Sequence, residues 1–428
     1  MIALLLLGWF VGKSRHRNQL AEEQIAALHE RGLPTNATEL NTYVAPHPGE
    51  PNATAAWMVP IRGSAPAFRA HPGEWPVSSY EESLPPTPDL DWPSLPTEAK
   101  YVQRQATIYQ AIDQALAMEG GCCYVDDYRP EWISIPHVGG LRRISELLVL
   151  RAFVHAHEGD MPAVAGDLLA VLHAAETLGN EPSLYSQILR ARLHTYAMHA
   201  LERMLPSLLA ANTDLAQLQA ELESVDLRLG LVEAVVGCRA NVADHLGNFT
   251  SGRLRGAWHG DDMVTVLTSF EPVEQALQQE WPAPLQLANE YGQNIHFREL
   301  QSMTPWGAKD TAPSLQAAAI ASRVTHTAQV TARLRAAAAA IAAVRYHEQH
   351  GQWPESLEVL VPEFIAAVPT DPFTGEPLSM VRVADEIRVY SVGFDREDDG
   401  GVENWGPNDD CNGHRTGEPD VVFRIRLD

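Results

Sequence analysis

The chain has few cysteines and no pattern that would pair them. Its 428 residues contain four, of which Cys122 and Cys123 are adjacent while Cys238 and Cys411 stand alone. Four thiols are too few for a disulfide framework, and no two CxxC motifs are present to form a structural zinc site. A disulfide between adjacent cysteines closes a strained ring, so the spacing favours free thiols at positions 122 and 123.

Basic charge is also scarce. Lysine and arginine total 31 against 55 aspartates and glutamates, which gives a formal net charge of −24. Binding to nucleic acid needs clustered basic side chains for the phosphates, so the composition argues against nucleic acid as a partner. An acidic surface instead suits solubility, cation binding or a basic partner. The apolar content of 45% is typical of folded proteins, and the length suffices for two or three domains.

Long hydrophobic runs are absent apart from one at the N terminus. Residues 1–12 read MIALLLLGWFVG and are followed by Lys13, Arg15 and Arg17. As a helix this run would extend about 18 Å, which is short of the roughly 30 Å hydrocarbon core of a bilayer. The basic n-region and the cleavage site of a signal peptide are both missing. The pattern predicts a short membrane anchor with a basic flank over residues 1–17, and a soluble N-terminal helix is the alternative.

The rest of the chain divides into three regions by composition. Residues 18–97 begin as a charged helix, predicted as a stalk, and continue as an arm rich in proline with turn residues. Residues 98–313 show strong helical periodicity, for example at Leu141, Ile144 and Leu147, and are predicted as an all-α body. Residues 314–428 are predicted as a separate α+β module.

The C-terminal module combines one long helix with a small sheet. Residues 314–350 carry apolar side chains at four- and three-residue spacing, which predicts one helix with a narrow apolar stripe. After the helix, Pro354 can start a short helix whose Leu357, Leu360 and Val361 are predicted to face back onto the long one. Two segments of alternating pattern, 378–383 and 386–392, flank Ala384-Asp385 as a hairpin connection, and 421–427 can form another strand. The predicted fold class is mainly α. An irregular helical body is followed by a small α+β module, in which a long helix packs on a short antiparallel sheet.

An ordered set of short motifs runs through this module. It contains the Tyr346–Gly351–Trp353–Pro354 run, the Leu357/Leu360 pair, the Val368-Pro369-x-Asp371-Pro372 step, the Tyr390-Ser391-x-Gly393-x-Asp395 loop and the Asp420-Val421 strand start. With these motifs in this order, roughly the last 90 residues resemble the C-terminal domain of the type II secretion major pseudopilin. The whole chain, with its N-terminal hydrophobic run and helical body, is similar to large envelope-protein families of planctomycete-type bacteria.

The resemblance implies a location but not a pilus. In a pseudopilin the hydrophobic helix runs directly into this module and follows a peptidase site. Here about 300 residues intervene, and the Gly-Phe-Thr-x-x-Glu motif is missing. What the resemblance implies is a reused fold in a protein of the bacterial cell envelope, anchored to the inner membrane through its N-terminal segment. The side of the membrane on which the rest of the chain lies is left open.

Acidic side chains crowd the loop before the last predicted strand. They are Asp395, Glu397, Asp398, Asp399, Asp409, Asp410 and Asp420. Calcium takes roughly six to eight oxygen ligands in flexible geometry, and a bound cation would relieve the mutual repulsion of these carboxylates. Position twelve of an EF-hand beginning at Asp395 is Gly406 rather than glutamate, so that motif fails.

A calcium site in this loop is predicted from two sources. The pseudopilin resemblance implies that Asp395 and Asp420 hold the ion, because they occupy the matched positions. Asp398 and Asp399 are added on composition alone. The alternative is a solvated acidic loop without a metal ion.

Catalytic motifs are missing from the sequence. No GxSxG, P-loop or GxGxxG pattern occurs. His155 and His157 are two residues apart and would point to different faces of a helix, and His347-Glu348-x-His350 lacks the spacing of a zinc-binding HExxH motif. The sequence therefore favours a non-enzymatic protein with an interaction or structural role and an unidentified protein partner. The alternative is a hydrolase in the helical body, using histidines and aspartates that the sequence does not pair.

Overall fold

The computed structural model describes residues 2–46, 49–70, 85–129, 135–249, 259–294, 308–402 and 420–427. Most of these residues are helical. The helices are α1 (Ile2–Glu30), α2 (Ala37–Val44), α3 (Thr54–Ala70), α4 (Leu95–Arg104), α5 (Ala106–Leu116), α6 (Pro136–Glu158), α7 (Met161–Glu176), α8 (Leu184–Ala210), α9 (Ala216–Ser224), α10 (Leu227–Phe249), α11 (His259–Ser269), α12 (Glu271–Leu277), α13 (Ala283–Asn294) and α14 (Ala308–His350).

A small sheet follows the last helix. Its strands are β1 (Ser379–Val383), β2 (Glu386–Ser391) and β3 (Val421–Arg426), and a short 3₁₀ turn at Leu357–Leu360 precedes them. The strands pair antiparallel in the order β1-β2-β3. The predicted fold class, mainly α with a small antiparallel sheet at the C terminus, is confirmed.

Several helices begin and end where the sequence supplies capping residues. The Asn36 side chain accepts a hydrogen bond from the backbone N–H of Glu39 at 2.9 Å and starts α2. Asp160 accepts one from the N–H of Ala163 at 3.2 Å and starts α7. Between α6 and α7, Gly159 has a φ of +81°, a left-handed conformation that ends α6. Gly159 and Asp160 together produce the tight turn that places α7 against α6.

The centre of the helical body is formed by α6, α7 and α8, which pack on one another. Ile144 and Phe153 of α6, Leu172 of α7 and Leu193 of α8 are fully buried. One continuous apolar core extends from α3 through these helices to α14 and the sheet. The body and the C-terminal module therefore share a single core.

The long helix α14 joins the body to the sheet. From the body α8, α9, α10 and α13 pack on it, and from the C-terminal side β2 and β3 do. Its segment 336–344, AAAAAIAAV, is buried around the whole circumference, whereas the sequence predicted only a narrow apolar stripe. Alanine combines high helix propensity with a small side chain, so neighbours can approach from every side.

The predicted hairpin is confirmed, whereas one prediction for the preceding 3₁₀ turn is wrong. The β1–β2 connection is Ala384-Asp385, with a φ of +48° at Ala384. In the 3₁₀ turn Leu357 and Leu360 are buried, as predicted for side chains that face the long helix. Val361, predicted to face the same way, is exposed, because the turn ends at Leu360 and the chain continues in an extended conformation.

The second half of α1 lies on the helical body. Ala21 and Leu28 are buried in one cluster with Met263 of α11. Arg31, directly after α1, forms an ion pair with Glu274 of α12. Residues 18–30, predicted as a stalk, therefore pack against other helices.

The N-terminal hydrophobic run provides no membrane-spanning helix, which corrects the description as a membrane protein in this one respect. Across the residues that the structure describes, no helix is both long enough and apolar enough to cross a membrane. The apolar run ends at Gly12, and α1 continues from it into Lys13, Arg15 and Arg17, so a segment of spanning length includes these charges. The structure shows a mainly helical protein with a small antiparallel sheet. The short anchor over residues 1–17 and the resemblance to a pseudopilin stay predictions.

Candidate functional site

The predicted calcium residues lie in the connection from β2 to β3. Asp420, directly before β3, is fully buried, and its carboxylate accepts hydrogen bonds from the backbone N–H of Gly401 at 2.7 Å and of Asp399 at 3.5 Å. Burial raises the pKa of Asp420, the two backbone hydrogen bonds lower it, and the charges of Asp398 and Asp399 raise it. Three of the four predicted residues therefore lie close together, namely Asp398, Asp399 and Asp420.

The fourth residue, Asp395, bonds within its own turn. Its Oδ1 atom accepts a hydrogen bond from the N–H of Glu397 at 3.1 Å. Asp398 accepts one from the hydroxyl of Tyr390 at 3.0 Å and one from the N–H of Gly400 at 2.9 Å. Among the described residues, no group of three or more histidine, cysteine, aspartate or glutamate side chains is arranged to hold a metal ion. Outside the described residues lie Gly406, Asp409 and Asp410.

The described part of the loop thus uses its carboxylates to cap backbone N–H groups. This use is compatible with either alternative drawn from the sequence, since capping oxygens keep further lone pairs for a cation. Calcium in this loop stays a prediction.

Two carboxylate–histidine pairs lie at the two ends of the turn between α7 and α8. At the end of α7, Oε1 of Glu176 is 2.7 Å from Nε2 of His194 on α8. Shortly before α8, Oε2 of Glu181 is 3.0 Å from Nε2 of His137 in the first turn of α6. Both histidines are fully buried, and in the described part of the chain neither Nδ1 atom has a hydrogen-bond partner.

The Glu176 pair is part of an ion-pair network. The guanidinium of Arg190 donates to both carboxylate oxygens, at 2.7 and 3.0 Å. Burial raises the pKa of Glu176, but the hydrogen bonds and charges of His194 and Arg190 hold it at about 2. The carboxylate is therefore ionised at neutral pH and paired with two basic side chains.

The Glu181 pair has a different environment. The His137 ring stacks on Tyr124 with ring centroids 4.7 Å apart, and the free thiols Cys122 and Cys123 lie in the same segment. Burial raises the pKa of both thiols, and the charge of Glu181 raises it further. A thiolate nucleophile is disfavoured under these conditions. The site pairs a histidine with a carboxylate, and among the described residues no activated nucleophile lies beside them.

The histidines that the sequence singled out make separate local contacts. His155 binds Asp167 at 3.0 Å, while His157 is 2.9 Å from a backbone carbonyl of its own helix. His347 and His350 stack on two different aromatic rings, with ring centroids 4.2 Å apart in each case. Neither histidine pair converges on a common point, and for His155 and His157 the two-residue spacing predicted this.

A surface opening lies at the C-terminal end of α14. Its volume is about 320 Å³. The lining side chains, here called the α14 opening, are Asp214, Leu215, Arg345, Glu348, Gln349 and Phe364. They come from the chain before α9, from the last turns of α14 and from the segment after the 3₁₀ turn. Only Glu348 belongs to a pattern singled out from the sequence, and no local motif could have brought the three segments together.

Buried hydrogen bonds hold the α14 opening in shape. Gln219 of α9 is buried and accepts a hydrogen bond from Nη1 of Arg345 at 2.8 Å. The amide of Gln219 donates to the backbone carbonyl of Phe364 and to the carboxylate of Glu223, both at 2.7 Å. One buried amide therefore links α9, α14 and the segment after the 3₁₀ turn.

Two carboxylates face the α14 opening. Asp214 caps the start of α9, since its Oδ1 atom accepts a hydrogen bond from the N–H of Ala216 at 3.0 Å. Burial raises the pKa of Glu348, the neighbouring Arg345 and His347 lower it, and the charge of Asp214 raises it again. Burial is the largest of these effects.

Comparisons with protein-family models, with curated proteins and with solved structures found no match for this chain. The resemblance to a pseudopilin therefore stays a prediction based on the quoted motifs. The same holds for the cell-envelope location inferred from it.

Proposed function

We propose that this chain is a non-enzymatic interaction protein, in which the helical body and the C-terminal module act as one scaffold. Its binding surface is the α14 opening. The observation that carries this proposal is the opening itself, an exposed cavity that body and module build together around the end of the helix they share.

Two ion pairs of Glu202, here called the clamp, support the scaffold. Glu202 of α8 binds Arg333 of α14 at 2.6 Å and Arg424 of β3 at 3.1 Å. Arg333 is almost fully buried, so solvent has little access to this ion pair. Removal of Glu202 would leave the buried guanidinium without this counter-ion, which carries a large desolvation cost. The clamp joins the sheet and α14 to the body.

The accessible lining of the α14 opening is mostly polar. Leu215 and Phe364 contribute to it but are almost fully buried, so charged and amide side chains make up most of its surface. Such a polar lining has the character of the rim of a protein–protein contact. The volume is at the lower end of the roughly 300–1,000 Å³ of small-molecule sites, which suits one inserted side chain.

A steric block tests the proposal. The full chain serves as bait in an affinity capture, and the captured proteins are identified by mass spectrometry. Gln349→Trp fills the α14 opening and should abolish capture of the specific partner. Gln110→Trp, the same change at an exposed position of α5, should leave capture intact. A partner that both variants retain would refute this binding surface.

One observation favours the alternative of a hydrolase. His137, oriented by Glu181 and with its other ring nitrogen unpaired, has the arrangement of a general base. The full chain would then hydrolyse ester, amide or phosphate substrates. His137→Gln would abolish the activity, while His155→Gln would leave it unchanged. Such a result would overturn the interaction role.

A further inference from the structure

We propose that His155 is a phosphoryl-acceptor site, at which Nε2 of the ring takes a phosphoryl group from a donor protein. The donor carries the group as a phosphoramidate or an acyl phosphate. The site belongs to α6 and α7 and shares no residue with the α14 opening. The inference therefore goes beyond the proposed function and does not depend on it.

A buried carboxylate orients the imidazole ring. The side chain of Asp167, on α7, is 3% exposed, and its Oδ2 atom is 3.0 Å from Nδ1 of His155. Its Oδ1 atom accepts a hydrogen bond from Nε of Arg151 at 2.8 Å. An ionised carboxylate only accepts hydrogen bonds, so the ring donates from Nδ1. In the neutral ring the lone pair of electrons is therefore on Nε2.

The Nε2 atom is open to the surface. The His155 side chain is 24% exposed. Within the described parts of the chain, Nε2 has no hydrogen-bond partner and is not a buried atom. An acceptor on a helix surface needs no substrate pocket of its own, because the donor protein supplies the reacting site. The ring is thus held at one nitrogen and accessible at the other.

Arg151 places a cation beside the ring. It lies one turn before His155 on α6 and binds the same carboxylate through Nε and Nη2. Its guanidinium carbon is 4.2 Å from the centroid of the Tyr109 ring, which supports it from α5. Among the described residues Nη1 has no hydrogen-bond partner. Arginine binds phosphoryl oxygens well, so this nitrogen is suited to hold the incoming group.

The transfer balances without an additional reactant. The lone pair of Nε2 attacks the phosphorus atom, and an Nε2–P bond forms. The P–N or P–O bond of the donor breaks, and its electron pair leaves with the donor. The ring keeps its hydrogen on Nδ1 and gains a positive charge. Asp167 is a positioning residue in this step, because its carboxylate holds Nδ1–H and stabilises the charge that develops.

The surrounding charges predict how the reaction depends on pH. The hydrogen bond from Asp167 raises the pKa of His155 most, burial lowers it, the charges of Asp167 and Asp160 raise it, and Arg151 lowers it. On α5, Asp113 lies 3.9 Å from Nη2 of Arg151 and offsets part of that cation. The neutral ring is the form that reacts. The rate should therefore rise with pH through a midpoint above the ordinary value of 6.5.

Reaction with potassium phosphoramidate tests the proposal. The full chain is incubated with this small-molecule donor, and phosphohistidine is measured by ³¹P NMR and located by peptide mass spectrometry. The internal reference is His350, which is exposed at the end of α14, with Nδ1 3.0 Å from the backbone carbonyl of Tyr346 and no carboxylate bound to it. His155 should react about tenfold faster than His350.

Variants identify the groups responsible. His155→Gln should remove the fast reaction, whereas His157→Gln, the same change two residues further along α6, should keep it. Asp167→Asn should slow the reaction of His155 about tenfold and move the midpoint down toward 6.5. Asp167→Glu restores a carboxylate and should recover part of both effects. Circular dichroism shows which variants are folded.

Three results would overturn the proposal. They are a reaction of His155 no faster than that of His350, a midpoint at or below 6.5 in the wild type, and an unchanged midpoint in folded Asp167→Asn. The first two are measured on the wild-type chain, so they decide the matter even if Asp167→Asn does not fold. Gln349→Trp should react like the wild type, so failure here leaves the proposed function untouched.

Discussion

Replacing Glu176 by glutamine should destabilise the protein more than any change at an exposed glutamate. The carboxylate receives two hydrogen bonds from Arg190 and lies 2.7 Å from Nε2 of His194. Arg190 and His194 are both buried, and the Glu176 side chain is 31% exposed. Glutamine keeps the size of the side chain but leaves a buried guanidinium without its anion.

The expected magnitude follows from the pKa of Glu176. Against burial, which raises it, the partners of the carboxylate lower the pKa from 4.5 to about 2. At about 1.4 kcal/mol per pKa unit, the difference corresponds to about 3 kcal/mol of stability at neutral pH. Breaking a buried ion pair from one side typically costs about 3–5 kcal/mol, which agrees. We therefore expect Glu176→Gln to lower the free energy of unfolding by about 3 kcal/mol.

Urea unfolding at pH 7, followed by circular dichroism, measures this loss. Glu119→Gln, at an exposed position, is the control and should change the free energy of unfolding by less than about 0.5 kcal/mol. Because the folded pKa of Glu176 is depressed, its contribution is present above the unfolded pKa of 4.5 and is lost as the pH falls toward 2. The difference between wild type and variant should be constant above about pH 5.5 and decrease below it. A loss under about 1 kcal/mol at pH 7, or one that does not change with pH, would refute the reasoning.

Three further outcomes are expected. Gly237→Ala should destabilise the protein by about 2 kcal/mol or more, because a Cβ atom there would overlap the carbonyl of Pro182. Its control in thermal melts is Gly166→Ala, which should be neutral or stabilising because no atom lies near the added Cβ. Burial lowers the pKa of His326 to about 4, so stability should fall as the pH drops from 6.5 to 4, and the denaturation midpoint of His326→Gln should fall less. Glu202→Gln should increase amide hydrogen exchange in β3 more than in α7, since it removes the clamp on the sheet.

The features that the sequence predicted correctly depend on local chemistry. The hairpin at Ala384-Asp385 follows from alternating apolar residues on either side of a two-residue turn, and the pattern needs no information from elsewhere in the chain. The long helix is specified in the same way by its alanine content and by Gly351, whose φ of +69° ends it. Its burial on all sides was not predicted, because an alanine-rich surface has no periodic signal to show which neighbours cover it.

The candidate sites could not be predicted, because their members are far apart in sequence. His137 and Glu181 are 44 residues apart, and the hydrogen bond from Arg345 to Gln219 spans 126. Neither spacing matches a periodicity or a motif. The acidic loop was recognised, since its carboxylates are neighbours in sequence. Yet that composition does not distinguish a metal ligand from a cap, and in the described part Asp398 and Asp420 cap backbone N–H groups.

Variants that lower stability can be distinguished from variants that block the α14 opening, because the residues concerned lie in different parts of the fold. Glu176 belongs to the turn between α7 and α8, whereas the α14 opening is built from α9, the end of α14 and the segment around Phe364. Effects at sites that share no partners usually add. Glu176→Gln should therefore lower stability and leave binding by the remaining folded molecules unchanged. Gln349→Trp, at an exposed position, should abolish binding without a change in unfolding. If Glu176→Gln instead weakened binding under conditions where the chain is fully folded, the two regions would be coupled through the core that they share around α14.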